Sequence, residues 1–189
     1  HGGLINGEYQ TKGKYKDWGD NLVFYEGEFN RAIVNGIIEQ LTHLNISYVN
    51  IAPEYRDVSL GTRVKRANSY ASRSSFYLSI HSNAGKGEGS EIFTSPGNTR
   101  SDKIATVFGE EYINEFPERK FRSDFSDGDM DKDAHFYVLT RTKMPAILTE
   151  NFFMDNFDEF SSILNTRIGR DKIVSYHVKA IQRVKKELF

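Results

Sequence analysis

Phe76-Tyr77-Leu78-Ser79-Ile80-His81-Ser82 is the stretch that decides the fold. It is short and almost continuously apolar, which reads as a strand buried on both faces, the kind found in parallel sheets covered by helices. Upstream, from Glu26 to about Leu44, the period changes to 3.6. Phe29, Ile33, Val34, Ile37, Ile38, Leu41 and Leu44 fall on one stripe of a helix that must pack on a sheet. Outward from these two segments, Ile46–Ile51 reads as a strand and residues 60–73 as a helix. Further strands are expected near Glu91–Thr94, Phe136–Leu139 and Ala146–Thr149, and helices near 101–116, 156–165 and 168–187. Strand and helix alternate, so the expectation is an α/β fold: one domain over 1–189, a three-layer sandwich with a mostly parallel central sheet flanked by helices. Residues 2–25 read as a long loop.

Bulk properties narrow the function. A chain of 189 residues suits one domain with one sizeable core. Lys plus Arg number 25 and Asp plus Glu 26, a net charge of -1 that gives no general attraction to nucleic acid or to an anionic membrane. No apolar run reaches the roughly 18 residues of a membrane span, and no signal peptide is visible. Neither a nucleic-acid partner nor membrane insertion is expected. With no cysteine, metal or acid–base chemistry falls to His, Asp and Glu. The first residue is His1 rather than Met, as in a processed product or the ordered part of something longer.

Ligands in open parallel sheets bind beyond the carboxyl ends of the strands. His81 ends one apolar strand and Glu150 ends Ala146-Ile147-Leu148-Thr149, so both stand where sites are built. Position alone serves two readings, a site residue or a polar cap bonded to backbone. Glu26 lies within the apolar stripe of its helix while Glu28 points about 200° away toward solvent. An inward carboxylate in the first turn either complements the helix dipole or meets a buried partner. His1-Gly2-Gly3 adds an imidazole with flexible backbone behind it. Together the four supply what a catalytic zinc requires: two imidazoles and a carboxylate as ligands, an open position for water, and a second carboxylate to accept a proton.

In these residues the chain resembles the zinc-dependent N-acetylmuramoyl-L-alanine amidases known as amidase type 3. The resemblance runs through His1-Gly2-Gly3, Glu26 and Asn30, Arg63, Ala67 and Asn68, Ser79-Ile80-His81-Ser82-Asn83-Ala84, Gly89 and Glu91, then Pro145, Ala146, Leu148, Glu150 and Asn156, in order over nearly the whole chain. It implies that His1, Glu26 and His81 bind Zn2+ and that Glu150 is the catalytic glutamate. It also implies cleavage of peptidoglycan between N-acetylmuramic acid and the L-alanine of the stem peptide. In that scheme zinc polarises the amide and brings water toward a pKa of about 7, while Glu150 takes the proton and passes it to the leaving amine. The implied workplace is the cell wall, periplasm or exterior, reached from a host cytoplasm if the chain is a phage lysin. Two departures stand out: the family's opening strand before His1 is absent, and Phe152 replaces a small residue, implying a reshaped pocket wall.

Other features carry less. Ser79 and Asn83 are candidates for orienting the ligands. His43 and His177 fall in helical patterns and read as structural. His135 joins an acidic surface loop, Asp124–Asp133, to a strand and is a candidate substrate contact. Asp127-Gly128-Asp129-Met130-Asp131 has the acidic spacing of an EF-hand loop, but Lys132 and Val138 stand where Gly and Glu are required, so no calcium site of that type is expected. Tyr9, Tyr15, Trp18 and Tyr25 form either a platform for glycan rings or anchors for their own loop. Three rival functions remain in view. A zinc peptidase acting within the stem peptide lacks a His-Glu-x-x-His motif, and Leu4 stands where a His-x-x-Glu pair would need its acid. A noncatalytic wall-binding module would have no use for Glu150. A copper monooxygenase using an N-terminal His belongs on a β-sandwich, which the helix at 26–44 opposes.

Overall fold

A computed structural model describes residues 1–189. The first 25 residues are more ordered than a loop. They form two small antiparallel hairpins, β1 (Leu4–Ile5) with β2 (Glu8–Tyr9), and β3 (Tyr15–Asp17) with β4 (Val23–Tyr25). Helix α1 (Glu26–His43) follows without a break and buries Phe29, Ile33, Ile37 and Leu41, as its 3.6 period requires. The segment read as a strand at 46–51 forms none. Tyr48 and Val49 are exposed, and a six-residue stretch interrupted by Ser47 and Asn50 carries too little periodicity to exclude an extended coil. Helix α2 (Leu60–Ser69) starts on Ser59, whose hydroxyl accepts from the Thr62 N–H.

The decisive stretch forms β5 (Tyr77–Asn83), followed by β6 (Glu91–Thr94) and α3 (Arg100–Glu115), which opens with a capping box between Thr99 and Asp102. A two-residue strand, β7 (Lys132–Asp133), precedes α4 (Tyr137–Arg141). The strand expected at Phe136–Leu139 is therefore corrected to helix. Val138 and Leu139 are buried side by side while Phe136, Tyr137 and Thr140 stay exposed, a one-turn helical pattern rather than an alternation. Strand β8 (Ala146–Phe153) runs four residues beyond its expected end. The 156–165 helix is split into a short α5 (Phe157–Glu159) and a π-helical turn at Phe160–Leu164, and α6 (Arg167–Glu187) closes the fold.

The four-stranded sheet has the order β5-β8-β6-β7. β5 with β8 and β6 with β7 are parallel, while β6 with β8 is antiparallel, so the sheet is mixed with two of its three pairings parallel. Helices α1, α3 and α6 cover one face around Ile33, Ile104, Phe108, Ile147 and Ile173; α2 and α4 cover the other around Val64, Ala67, Leu139 and Leu148. This is the expected α/β sandwich. One edge of the sheet is open. Beyond β5 a cavity of about 830 Å³ runs between that strand and the 45–53 segment, lined by Ile37, Ile38, Leu41, Val49, Leu78 and Ile80 among others. No helix is long and apolar enough to cross a membrane.

Candidate active site

β8 lies at the centre of the sheet and is buried at every position except Glu150. Glu150 is paired in register with His81 on β5 and with Glu91 on β6. The three side chains therefore emerge in a row on one side of the sheet. Just past His81 the β5–β8 register shifts, and Phe152 adopts a left-handed backbone with φ of 60°. Ser90 Oγ accepts from the Phe152 N–H and the Ser82 hydroxyl donates to its carbonyl, so this costly conformation is held from both neighbouring strands. The Phe152 ring is fully buried against Tyr112 and Phe116. It fills the core, which corrects the expectation that it reshapes a pocket wall.

Glu26 reaches this row from the first turn of α1, where it is 2 % exposed. His81 Nδ1 lies 2.8 Å and His1 Nε2 3.2 Å from the same oxygen, Glu26 Oε1. The two imidazoles stand edge to face with centroids 5.0 Å apart. Ligating atoms of all three residues lie within 4.8 Å of one another. Burial works to raise the Glu26 carboxyl, but the hydrogen bonds and charges of His1 and His81 outweigh it and hold the group well below the ordinary carboxylate range. Burial lowers the His81 pKa, which favours the neutral ring that a metal requires. Its Nε2 lies 3.0 Å from Ser79 Oγ; Nε2–H donation there would free the Nδ1 lone pair for a metal standing in place of the proton shared with Glu26. Ser79 thus bonds the His81 ring, whereas the Asn83 amide donates to Glu91 instead.

Glu150 has the opposite electrostatics. Burial, then the charge of Glu26, pushes its carboxyl up to about 8, with Lys14 opposing and Glu91 adding. Its Oε2 is buried and receives no hydrogen bond. An orphaned carboxylate oxygen beside two imidazoles and a second carboxylate fits a dication with a proton acceptor next to it, and the N,N,O donor set fits zinc.

The N-terminal segment is clamped so that His1 arrives there. Leu4 N–H donates to Glu28 Oε1 at 2.6 Å, so Glu28 holds the first hairpin rather than facing only solvent. Arg31 donates to the His1 carbonyl at 3.1 Å, and the Gly2 N–H to Thr11 Oγ1 at 2.6 Å. The segment crosses α1 so closely that a Cβ at Gly27 would lie 1.9 Å from the Gly2 carbonyl oxygen. Only glycine permits that approach.

Sequence reasoning passed over the support behind Glu91. This buried carboxylate accepts from Asn83, from Arg122 Nε at 2.8 Å and from Lys132 Nζ at 2.6 Å. Burial raises it, but these partners prevail and hold it below the usual range. The other candidates lie elsewhere. His135 is exposed at a depression lined by Ser95, Thr99, Arg100 and Thr140, which none of the four site residues borders. His43 is exposed in the last turn of α1, and His177 is fully buried on the inner face of α6. Tyr9, Tyr15 and Tyr25 pack on one another, while Trp18 sits on Phe157 and Phe160, so the four rings make two anchors rather than one platform.

Comparison with known proteins gives a consistent result. A family model described as N-acetylmuramoyl-L-alanine amidase matches residues 1–183. The chain is 36% identical over 116 residues to the N-acetylmuramoyl-L-alanine amidase CwlM of Bacillus licheniformis, covering 61% of this chain and 42% of that protein. It is 34% identical over 108 residues to a sporulation-specific N-acetylmuramoyl-L-alanine amidase of Bacillus subtilis, covering 56% and 38% respectively. The matched region thus spans about two fifths of these relatives. Among solved structures, Ami1 of Mycobacterium smegmatis shares the fold with a TM-score of 0.76 at 18% identity over 98% of this chain and 93% of that one. An amidase of Clostridium difficile 630 does so with a TM-score of 0.74 at 22% identity over 87% and 86%.

Proposed function

The chain belongs to the N-acetylmuramoyl-L-alanine amidase family, and from that premise we propose that it hydrolyses the amide between N-acetylmuramic acid and the L-alanine of the stem peptide. Residues 1–189 act as one catalytic domain on peptidoglycan, in the cell wall, periplasm or exterior. The observation that carries this reading is the orphaned, buried Oε2 of Glu150 beside the His1, Glu26 and His81 group. A noncatalytic wall-binding module has no need to bury an unpartnered carboxylate there.

His1, Glu26 and His81 would hold one zinc ion. When bound, zinc supplies Lewis acidity toward the amide carbonyl and makes water acidic enough to lose a proton near neutrality. Glu26 contributes an ionised carboxylate, and His81 a neutral ring whose tautomer is fixed by Ser79. Glu150 is the proton carrier. Burial and Glu26 raise its basicity, so it accepts a proton from water and returns it to the alanine amine as the C–N bond breaks. Glu91 stays ionised on Arg122 and Lys132, adding negative charge next to Glu150 without taking the proton itself.

Digestion of purified peptidoglycan, with new ends identified by mass spectrometry, tests the proposal. The expected products are stem peptides with a free L-alanine amine, lost on chelation and restored by zinc. Cleavage inside the stem, or binding without cleavage, would overturn it.

A further inference from the structure

We infer that Asp102, Asp129 and Asp131 form a second, all-oxygen cation site that takes calcium and ties the 124–131 loop to the sheet. Carboxylate oxygens of the three lie within 4.8 Å of one another, although Asp102 belongs to the first turn of α3 and the other two precede β7. Asp131 is 4 % exposed. Thr94, fully buried at the end of β6, places Oγ1 2.8 Å from Asp131 Oδ2 and 3.1 Å from Asp102 Oδ1. One hydroxyl hydrogen satisfies only one of them. Asp131 Oδ1 and Asp129 Oδ1 are buried with no donor at all, and the two carboxylates lie close enough for Asp129 to raise the Asp131 pKa.

No protein cation answers this charge. Arg122 and Lys132 are committed to Glu91, Arg100 to the Arg73 and Leu188 carbonyls, and the exposed Lys103 next to Asp102 forms no ion pair. None of the ion pairs in the protein includes any of the three aspartates. Like charges this close and withdrawn from water repel strongly, and burial together with Asp129 and Asp102 pushes Asp131 up to about 7. A shared proton would relieve one of the three charges; a dication relieves two and supplies a partner to both orphaned oxygens. The donors are hard oxygens, which calcium binds at about 2.4 Å in flexible geometry. Lys132 and Val138 exclude an EF-hand, but this site is assembled differently, with Asp102 and Thr94 brought in by tertiary structure. Its occupant would fix Asp131, the residue before Lys132, whose ammonium holds Glu91 beside Glu150.

The test uses zinc-loaded protein freed of calcium, titrated with calcium chloride and followed by calorimetry and thermal unfolding. Expected are one calcium per chain and a Tm rise of about 5 °C at a hundredfold excess over Kd, larger than that given by magnesium. Asp131→Asn should abolish both responses and raise the Tm of the calcium-free protein, because it removes a repelling charge. No binding up to about 10 mM calcium, beyond the weakest calcium modules, would overturn the site and leave a shared proton as the remedy. A rise that persists in Asp131→Asn would overturn it too. Should that variant not fold, Asp129→Asn, in the more exposed loop, must lose the calcium response in its place.

Discussion

At one end of the sheet, Glu26 has two imidazoles on a single oxygen; at the other, Asp131 has only carboxylates and a shared hydroxyl. Both are buried, yet one carboxyl is held well below the ordinary range and the other pushed above it. Burial is not the deciding variable. What differs is whether the neighbours can carry positive charge or offer a lone pair. The N,N,O set suits zinc and chemistry, while the all-oxygen set suits a hard cation and structure. Glu150 stands between these extremes: its Oε2, like Asp131 Oδ1, is buried without a donor, but it lies beside the histidines, which suits it to the proton-carrying role proposed above.

The comparison breaks most visibly at His81. His81→Ala removes one nitrogen donor, and bound zinc together with kcat/KM should fall roughly 1000-fold or more, measured by metal analysis and turnover of a muramyl peptide. Next comes His177, a buried imidazole with no charged partner at all. Its Nδ1 lies 2.8 Å from the Ile173 carbonyl and its Nε2 3.0 Å from Thr149 Oγ1, and burial pulls its pKa down to about 4. The unfolded chain, with a His pKa near 6.5, takes up this proton first. The contribution is therefore present above about pH 6.5 and lost as pH falls toward 4, roughly 3 kcal/mol in all. Subtracting the denaturant stability curve of His177→Gln from that of the parent should expose this slope.

Smaller effects sharpen the picture of the zinc side. In Gly27→Ala the new methyl meets the Gly2 carbonyl, so His1 must shift; kcat/KM is expected to fall about 100-fold with a smaller loss of Tm. Ser79→Ala leaves all ligands in place but frees the His81 ring. Zinc affinity should drop about tenfold, read by competition with a chromogenic chelator.

The parts legible in the sequence were those written in local periodicity. The phase of α1 turned Glu26 inward, and apolar strands ending in His81 and Glu150 marked the site end of the sheet. His1 was legible only through family resemblance, because its position depends on Arg31, Thr11 and the Gly2–Gly27 crossing, none of which has a local signature. The support of Glu91 was hidden for the same reason: Arg122 and Lys132 lie 31 and 41 residues further along the chain, beyond α3. Errors fell where local signal is weakest. Phe136–Leu139 and Ile46–Ile51 are stretches too short to carry a period, and the first became a helical turn while the second stayed outside the sheet. Asp102 joins Asp129 and Asp131 only after folding, so a spacing rule for calcium loops could not register it.

The most direct test of the central claim is to compare the zinc content and peptidoglycan products of the parent protein and Glu150→Gln side by side. The account predicts one zinc per chain in both, with free L-alanine ends appearing about 1000-fold more slowly in the variant. Full activity in zinc-loaded Glu150→Gln would contradict it.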